Sequence, residues 1–429
     1  MRYRPSLSFV CAMTVLFAAG AVGAWAWHQI HSVPLDLRAQ MGFGGTLQFK
    51  PQPVRTQSTP QQLAERHRQS LALKDKLAAE FPALHVTSRP VPDDANGFLL
   101  LHQLSGSSGF PLSEEFKQIL SRDAAWDPEA ATRCLTESAD LVSRIERIAS
   151  LTTRSSSNMP ADYRGFIKAR TGKTCCDILL LKARLAAQAG DDPEARRLVA
   201  AAGNVGFHYH EVECPSLLSE TVAILIDLEV GRVVFKTLLP ALGRHADLGR
   251  WQATLGKRSY STADLAQVMR GEWNVSAEHL SLPLMLAEES DHRLPDAEAV
   301  ARVGASWFNR CVTRLPAGSL ADVDRAFQPA ADVSHLSKEG REWAYDYSAG
   351  SLSWAKGYVR AAAVHAQYLA ALELLILERA GATLAATAAA RITRDPLSGA
   401  AFEFDAAKRV LAAPSATAKL EIEPLALPW

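Results

Sequence analysis

The sequence predicts a mainly α-helical protein: an N-terminal transmembrane helix, a body of stacked helical hairpins forming an irregular α-solenoid or bundle, and a short C-terminal β-hairpin. Three observations predict it. From residue 59 to about 392, apolar residues recur at three- and four-residue spacing, and almost nothing alternates with period two until the tail. Helix-start signals such as Thr59-Pro60 and Asp192-Pro193-Glu194, and stop signals such as Gly190 and the cluster TTRSSSNMP, punctuate that pattern. Near the N-terminus, residues Leu7 to Trp27 carry no charge, a run long enough to cross a bilayer as a helix.

That run follows Arg2 and Arg4, which the positive-inside tendency keeps in the cytoplasm. The chain is therefore read as single-pass in a bacterial inner membrane, with its body in the periplasm. A cleaved signal peptide is the competing reading, because Ala24-Trp25-Ala26 has the small-x-small form of a cleavage site. The length of the run favours an uncleaved signal-anchor. Residues 1–27 are then cytoplasmic stub and anchor, and 28–58, rich in Pro, Gly and polar residues, are a linker or stalk. Residues 59–392 are the helical domain, and 393–429 form a turn and hairpin tail.

Within the body, Thr59 and Pro60 open a first helix as N-cap and first helical residue, with Leu63, Leu71, Leu73 and Leu77 recurring along it. Asp93 or Asp94 caps a second ahead of Phe98, Leu99, Leu101 and Leu104. Further helices are expected over 113–122, 128–150 and 174–189. In DILLLKARLAAQAGDDPEARRLVAAAG, Ile178, Leu181 and Leu185 line one face and Gly190 ends the helix. Asp192, Pro193 and Glu194 then start the next as N-cap, first residue and acidic first turn, and Ala195, Leu198, Val199 and Ala202 supply the facing stripe. This hairpin resembles a tetratricopeptide unit at Leu179, Ala183, Ala195, Val199 and Ala202. It departs from that family at Lys182 and Ala186, and its closing proline is missing. The resemblance spans under a tenth of the chain and implies stacked hairpins.

A long helix from about Ser353 to Arg379 is apolar over most of its circumference and belongs at the centre of the body. His365, Gln367 and Glu373 interrupt it, so it is expected to be buried in protein rather than to span a membrane. In the tail, Asp395-Pro396 makes a turn with Gly399, and Phe402 and Phe404 alternate before Val410-Leu411. With this Asp-Pro-x-Ser-Gly turn the chain resembles a group of bacterial membrane-anchored, exported α-helical proteins that carries no established activity. It is also faintly similar to the end of type II pseudopilins, although no glutamate follows a prepilin-type cleavage site.

Composition narrows the function. Forty-six basic and 46 acidic residues cancel and no Lys/Arg-rich run occurs, so nucleic acid is not an expected partner. Cys134, Cys175, Cys176, Cys214 and Cys311 form an odd set whose pairing the sequence leaves open, and the adjacent Cys175-Cys176 reads as a packed pair. No cofactor motif is present.

The stretch GFHYHEVEC, residues 206–214, looks most like chemistry. His208, His210, Glu211 and Cys214 are candidate metal ligands by residue type, but their spacing fits no zinc motif, and the polar end of a helix explains them better. Ser353 and Lys356 fit S-x-x-K, and Ser156-Ser157-Asn158 a second motif of penicillin-binding proteins, in reversed order and without K-T-G. Glu288, Glu289, Asp291 and His292 read as a solvated loop. The expected function is therefore a membrane-anchored scaffold or accessory protein that binds another polypeptide. The alternative is an exported enzyme, a metal-dependent hydrolase assembled from scattered His and Glu residues. A concave groove lined by Trp and Arg would support the first, and a deep pocket gathering His208, His210 and distant carboxylates the second.

Overall fold

The computed structural model describes residues 59–104, 110–121, 125–157, 169–280, 294–329, 332–382 and 392–429. The expected anchor and stalk, at 1–27 and 28–58, lie outside these residues, as do Asn158 and the cluster at 288–292. The described chain is mainly helical, with a small antiparallel sheet near the C-terminus.

Helix α1 (Pro60–Glu80) starts at the expected proline. Helices α2 (Gly97–Leu104), α3 (Glu114–Ser121), α4 (Pro128–Glu137) and α5 (Ala139–Ser150) follow. The single helix expected over 128–150 is thus two. The chain turns at Ser138, and the break lets Ala131 and Cys134 of α4, and Val142 and Ile145 of α5, all reach the core beside the next helix.

That helix, α6 (Ala169–Gln188), forms with α7 (Asp192–His210) the hairpin legible in the sequence, turning at Gly190 with φ of 76°. The five positions shared with the tetratricopeptide pattern are fully buried. The N-cap is Asp191, not Asp192: Asp191 Oδ1 accepts from the Glu194 N–H at 3.0 Å. Asp192 instead accepts from the buried Trp251 indole at 2.7 Å and from Arg196 at 2.9 Å, a tertiary role that the local pattern does not encode.

Helix α8 (Leu217–Val233), capped by Ser216, packs on both members of the hairpin. Pro240 sits just beyond it. Its ring has no N–H and would press on the carbonyl four residues back, and the chain runs through a π turn over Val234–Leu238 into the short α9 (Leu239–Leu242). Helix α10 (Leu248–Leu255) is followed by α11 (Thr262–Val275), which opens on a Ser261/Asp264 capping box. Next come α12 (Ala297–Arg314), the one-turn α13 (Val323–Ala326) and α14 (Lys338–Arg379).

At 42 residues, α14 begins 15 positions before the expected Ser353. Gly340 and Gly350 lower helix propensity there, but Ser337 caps the start, its hydroxyl accepting from the Gly340 N–H at 3.0 Å, and Trp343 and Ala344 are buried. Among the described residues α14 is the one helix long and apolar enough to cross a membrane, and 72% of its most apolar stretch is buried inside the protein. Each polar interruption is used there: His365 meets Asp227, Gln367 donates to the Leu411 and Glu423 carbonyls, and Glu373 accepts from Gln252 and Thr393.

The tail holds β1 (Glu403–Asp405), β2 (Val410–Ala412) and β3 (Leu425–Ala426) in the order β1-β2-β3, with Leu411 opposite both Phe404 and Leu425. The hairpin is legible in the sequence; β3, two residues among prolines, is not. The Asp395 turn forms as expected, with the Gly399 N–H on the Asp395 carbonyl and φ of 67° at Gly399. The sheet packs on α14 rather than projecting, held by Gln367 and by the bidentate Arg409–Glu378 pair at 2.6 and 2.9 Å.

Candidate functional site

Helix α7 continues through His210, and this decides the fate of GFHYHEVEC. Two residues apart on a helix are about 200° apart around its axis, so His208 and His210 point to opposite sides. His208 is fully buried beneath Gly97, and its Nε2–H donates to the Ile148 carbonyl at 2.9 Å. His210 Nδ1 meets Glu220 Oε2 at 2.7 Å. Glu211 is the C-cap and pairs with Arg154 at 3.2 Å, while the Cys214 thiol points at the Gly271 carbonyl at 3.6 Å. The four candidate ligands do not converge, and among the described residues no group of three or more His, Cys, Asp or Glu side chains is placed to hold a metal ion.

The segment is a helix end, as expected, but not the exposed one the sequence suggested. Glu213 is buried and accepts from the Ser155 hydroxyl at 2.7 Å, from the Ser156 and Ser157 N–H groups at 3.0 Å each, and from the Ser157 hydroxyl. Burial pushes this carboxyl up, and the serine donors more than offset it, holding it below the usual carboxylate range. The serines that mimic a penicillin-binding motif are thus a clasp for Glu213, while Ser353 and Lys356 are exposed on α14.

Burial also drives the His208 imidazole down to about 4, assisted by the nearby Arg154 charge and opposed by its bond to Ile148. The folded state therefore binds fewer protons than the unfolded chain below the ordinary value of 6.5. Stability from this group is intact above pH 6.5 and is lost as pH falls toward 4, about 3 kcal/mol in all. His208→Gln, which keeps a donor for Ile148, is expected to flatten the decline in urea midpoint between pH 7 and pH 4.5. An unchanged decline would assign the acid sensitivity elsewhere.

The densest charge lies between α7, α8, the turn before α11, and α14. Fully buried Glu220 takes His210 on one oxygen and Arg258 on the other. About two turns along α8, Asp227 Oδ2 accepts from the Tyr260 hydroxyl at 2.8 Å and meets His365 Nδ1 at 2.9 Å. The Arg258 guanidinium lies 4.9 Å from the Tyr260 ring centroid and links the two halves. Tyr358 closes the set, exchanging hydrogen bonds with the Ser261 main chain at 3.1 and 3.2 Å. Burial raises both carboxyls, but their cationic and hydrogen-bonding neighbours prevail and hold them ionised. The rival reading's distant carboxylates do gather, around His210 and His365. They are consumed by one another, and the adjoining pocket, which Asp227 and Arg258 line, has an interior of about 30 Å³, room for about one water.

Two open concavities lie elsewhere, one of about 530 Å³ along the exposed face of α4 and one beside α12. A groove of about 510 Å³ runs beside α12, with Phe81 on one wall, His335 and Asp332 on the other, and Ala299, Val303 and Ser306 along its floor. Trp307 and Arg310 are fixed at its edge by the Gln328 and Pro329 carbonyls: the indole donates to Gln328 at 2.9 Å and the guanidinium to Pro329 at 3.0 Å. Arg302 pairs with Glu80 at 3.0 Å and Glu298 at 3.1 Å, tying α12 to α1. The sequence carries no motif for this groove, because its residues come from three segments; the one available signal is the i, i+4, i+7 stripe of small residues at 299, 303 and 306.

Cys134, Cys175, Cys214 and Cys311 carry free thiols; burial lifts the Cys214 and Cys311 thiols to about 12 and Cys175 higher still, so none of these three is a ready nucleophile. No family model matches the chain, and neither the curated proteins nor the solved structures contain a match to it.

Proposed function

We propose that the protein is a membrane-anchored, periplasm-facing scaffold or accessory subunit that acts by holding another polypeptide in the groove beside α12. The observation that carries this reading is the groove's lining, since the concavity on α4 matches it in size but is bordered by Pro128, Glu129, Thr132, Arg133, Thr136 and Glu137. The α12 groove offers about 510 Å³ edged by Phe81, Arg302 and Arg310, aromatic and arginine residues of the kind that anchor protein interfaces. The Leu7–Trp27 run with Arg2 and Arg4 supports the anchor and its orientation.

Ser306 is exposed on the groove floor, and a tryptophan there would fill it without touching the core. Full-length protein isolated from its native membranes is expected to bring down one or two polypeptides in near-stoichiometric amounts. Ser306→Trp should lose them and Ser143→Trp, on the exposed face of α5, should keep them. Equal recovery with both variants would remove the groove as the binding surface.

A further inference from the structure

The centre of α14 is three residues short of a membrane-spanning segment. From Ala361 to Leu377 it runs 17 residues between Arg360 and Glu378, 14 of them apolar, and about 17–25 such residues are what a bilayer core accepts as a helix. His365, Gln367 and Glu373 are the polar members of this run. At about 100° per residue, Gln367 stands about 200° and Glu373 about 80° around the axis from His365, so no arc wider than about 160° is free of them. Helices that stay in membranes gather their polar side chains toward a bundle interior or a water-filled cavity. The three in α14 are spread around the helix instead.

Each of the three is paired with distant chain. His365 Nδ1 meets Asp227 Oδ2 of α8 at 2.9 Å, and Gln367 donates to the Leu411 and Glu423 carbonyls at 2.8 and 3.1 Å. Glu373 accepts from Gln252 of α10 and from the Thr393 hydroxyl, at 3.0 Å each. None of these partners lies in α14, and Thr393, Leu411 and Glu423 follow it in the chain, so they are synthesised after it. Until the body folds, the three side chains are polar groups without these partners, and placing them in hydrocarbon is costly.

We infer that His365, Gln367 and Glu373 have a second task beside their folded-state bonds: they keep α14 from stopping in the bilayer while the body is exported. The inference rests on the proposed placement of the body outside the cytoplasm. A chain that crosses a membrane unfolded presents each apolar segment to the lipid, and a segment long and apolar enough stays there. Three polar residues around the whole circumference make α14 pass; folding then uses the same residues to join it to α8, α10 and the tail.

The test follows the C-terminus. Full-length chains with a C-terminal epitope tag are pulse-labelled in bacterial cells, the outer membrane is opened, and external protease is added with and without detergent. Pulse labelling reads the topology before misfolding or turnover acts. The unaltered chain should lose its tag to protease without detergent. With His365→Leu, Gln367→Leu and Glu373→Leu combined, α14 should stop in the membrane and leave the tag inside, so the protected fraction rises from under about a tenth to over about half until detergent is added. His365→Asn, Gln367→Asn and Glu373→Asn combined shorten the side chains away from their partners but keep the polarity, so the tag should stay accessible. An accessible tag in the leucine variant, or one protected as fully in the asparagine variant, overturns the second task and leaves the exported body standing. A protected tag on the unaltered chain overturns the export reading and this inference with it.

Discussion

Arg258→Met is expected to destabilise the protein by roughly 3–5 kcal/mol, because it leaves Glu220 charged, fully buried and short of its strongest partner. His210 remains on the other oxygen at 2.7 Å but cannot replace a guanidinium that also stacks on Tyr260. Glu220→Met in the same chain should recover a large part of the loss, since a buried ion pair replaced by apolar groups of similar volume is often neutral whereas half a pair is not. Urea unfolding of the two single variants and the double variant gives the coupling directly. If the double variant is as unstable as the sum of the singles, the pair is not coupled and the Glu220–Arg258 network is not what organises α8 against α14.

The second large effect is steric. Helix α11 passes the chain at Pro215 so closely that a Cβ on Gly271 would lie 2.1 Å from the Pro215 carbonyl oxygen and 2.7 Å from its carbon. These are backbone atoms next to a proline ring, and no rotamer change relieves them. Gly271→Ala should therefore cost about 3 kcal/mol through forced separation of α11 from the start of α8. Gly203 in α7 is the internal control: nothing lies within 4 Å of the position a methyl group would take there, so Gly203→Ala should be neutral or stabilise by up to about 1 kcal/mol through helix propensity. Thermal melts of the two variants check both signs, and equal melting temperatures would refute the close approach.

What is legible in the sequence depends on whether the reason is local. The α6/α7 hairpin is written in adjacent signals: a stripe at Ile178, Leu181 and Leu185, a positive-φ glycine at 190, and a proline after an acidic cap. The Asp395 turn and the β1/β2 hairpin are local in the same sense. Where a residue serves a distant element, the local rule misleads. Asp192 looks like a cap and is a Trp251 acceptor; Glu213, in a stretch that reads as the polar end of a helix, is a buried staple for Ser155 to Ser157. The first half of α14 is hidden because its glycines argue against helix, while its tertiary packing overrides them.

The candidate site is less legible than the fold. GFHYHEVEC concentrates metal-ligating residue types, but helical periodicity separates His208 from His210, and each finds a partner from another element. The ionic network joins Glu220, Asp227, Arg258 and His365, drawn from α8, the turn before α11, and α14, and no spacing motif can show that. Among the described residues, the groove is defined by what α1, α12 and the 332–335 segment leave uncovered, a property of packing alone.

The central claim, that the α12 groove is occupied by a partner outside the cytoplasm, is tested most directly by the reactivity of Ser306→Cys. The native thiols among the described residues are mostly buried and give a low background to a membrane-impermeant maleimide. In cells with a permeabilised outer membrane, Ser306→Cys should label at least about tenfold more slowly than in the purified protein, and Thr132→Cys should label at the same rapid rate in both. Equal rates for Ser306→Cys before and after purification would contradict the occupied groove, and failure of Thr132→Cys to label in cells would contradict the placement of the body.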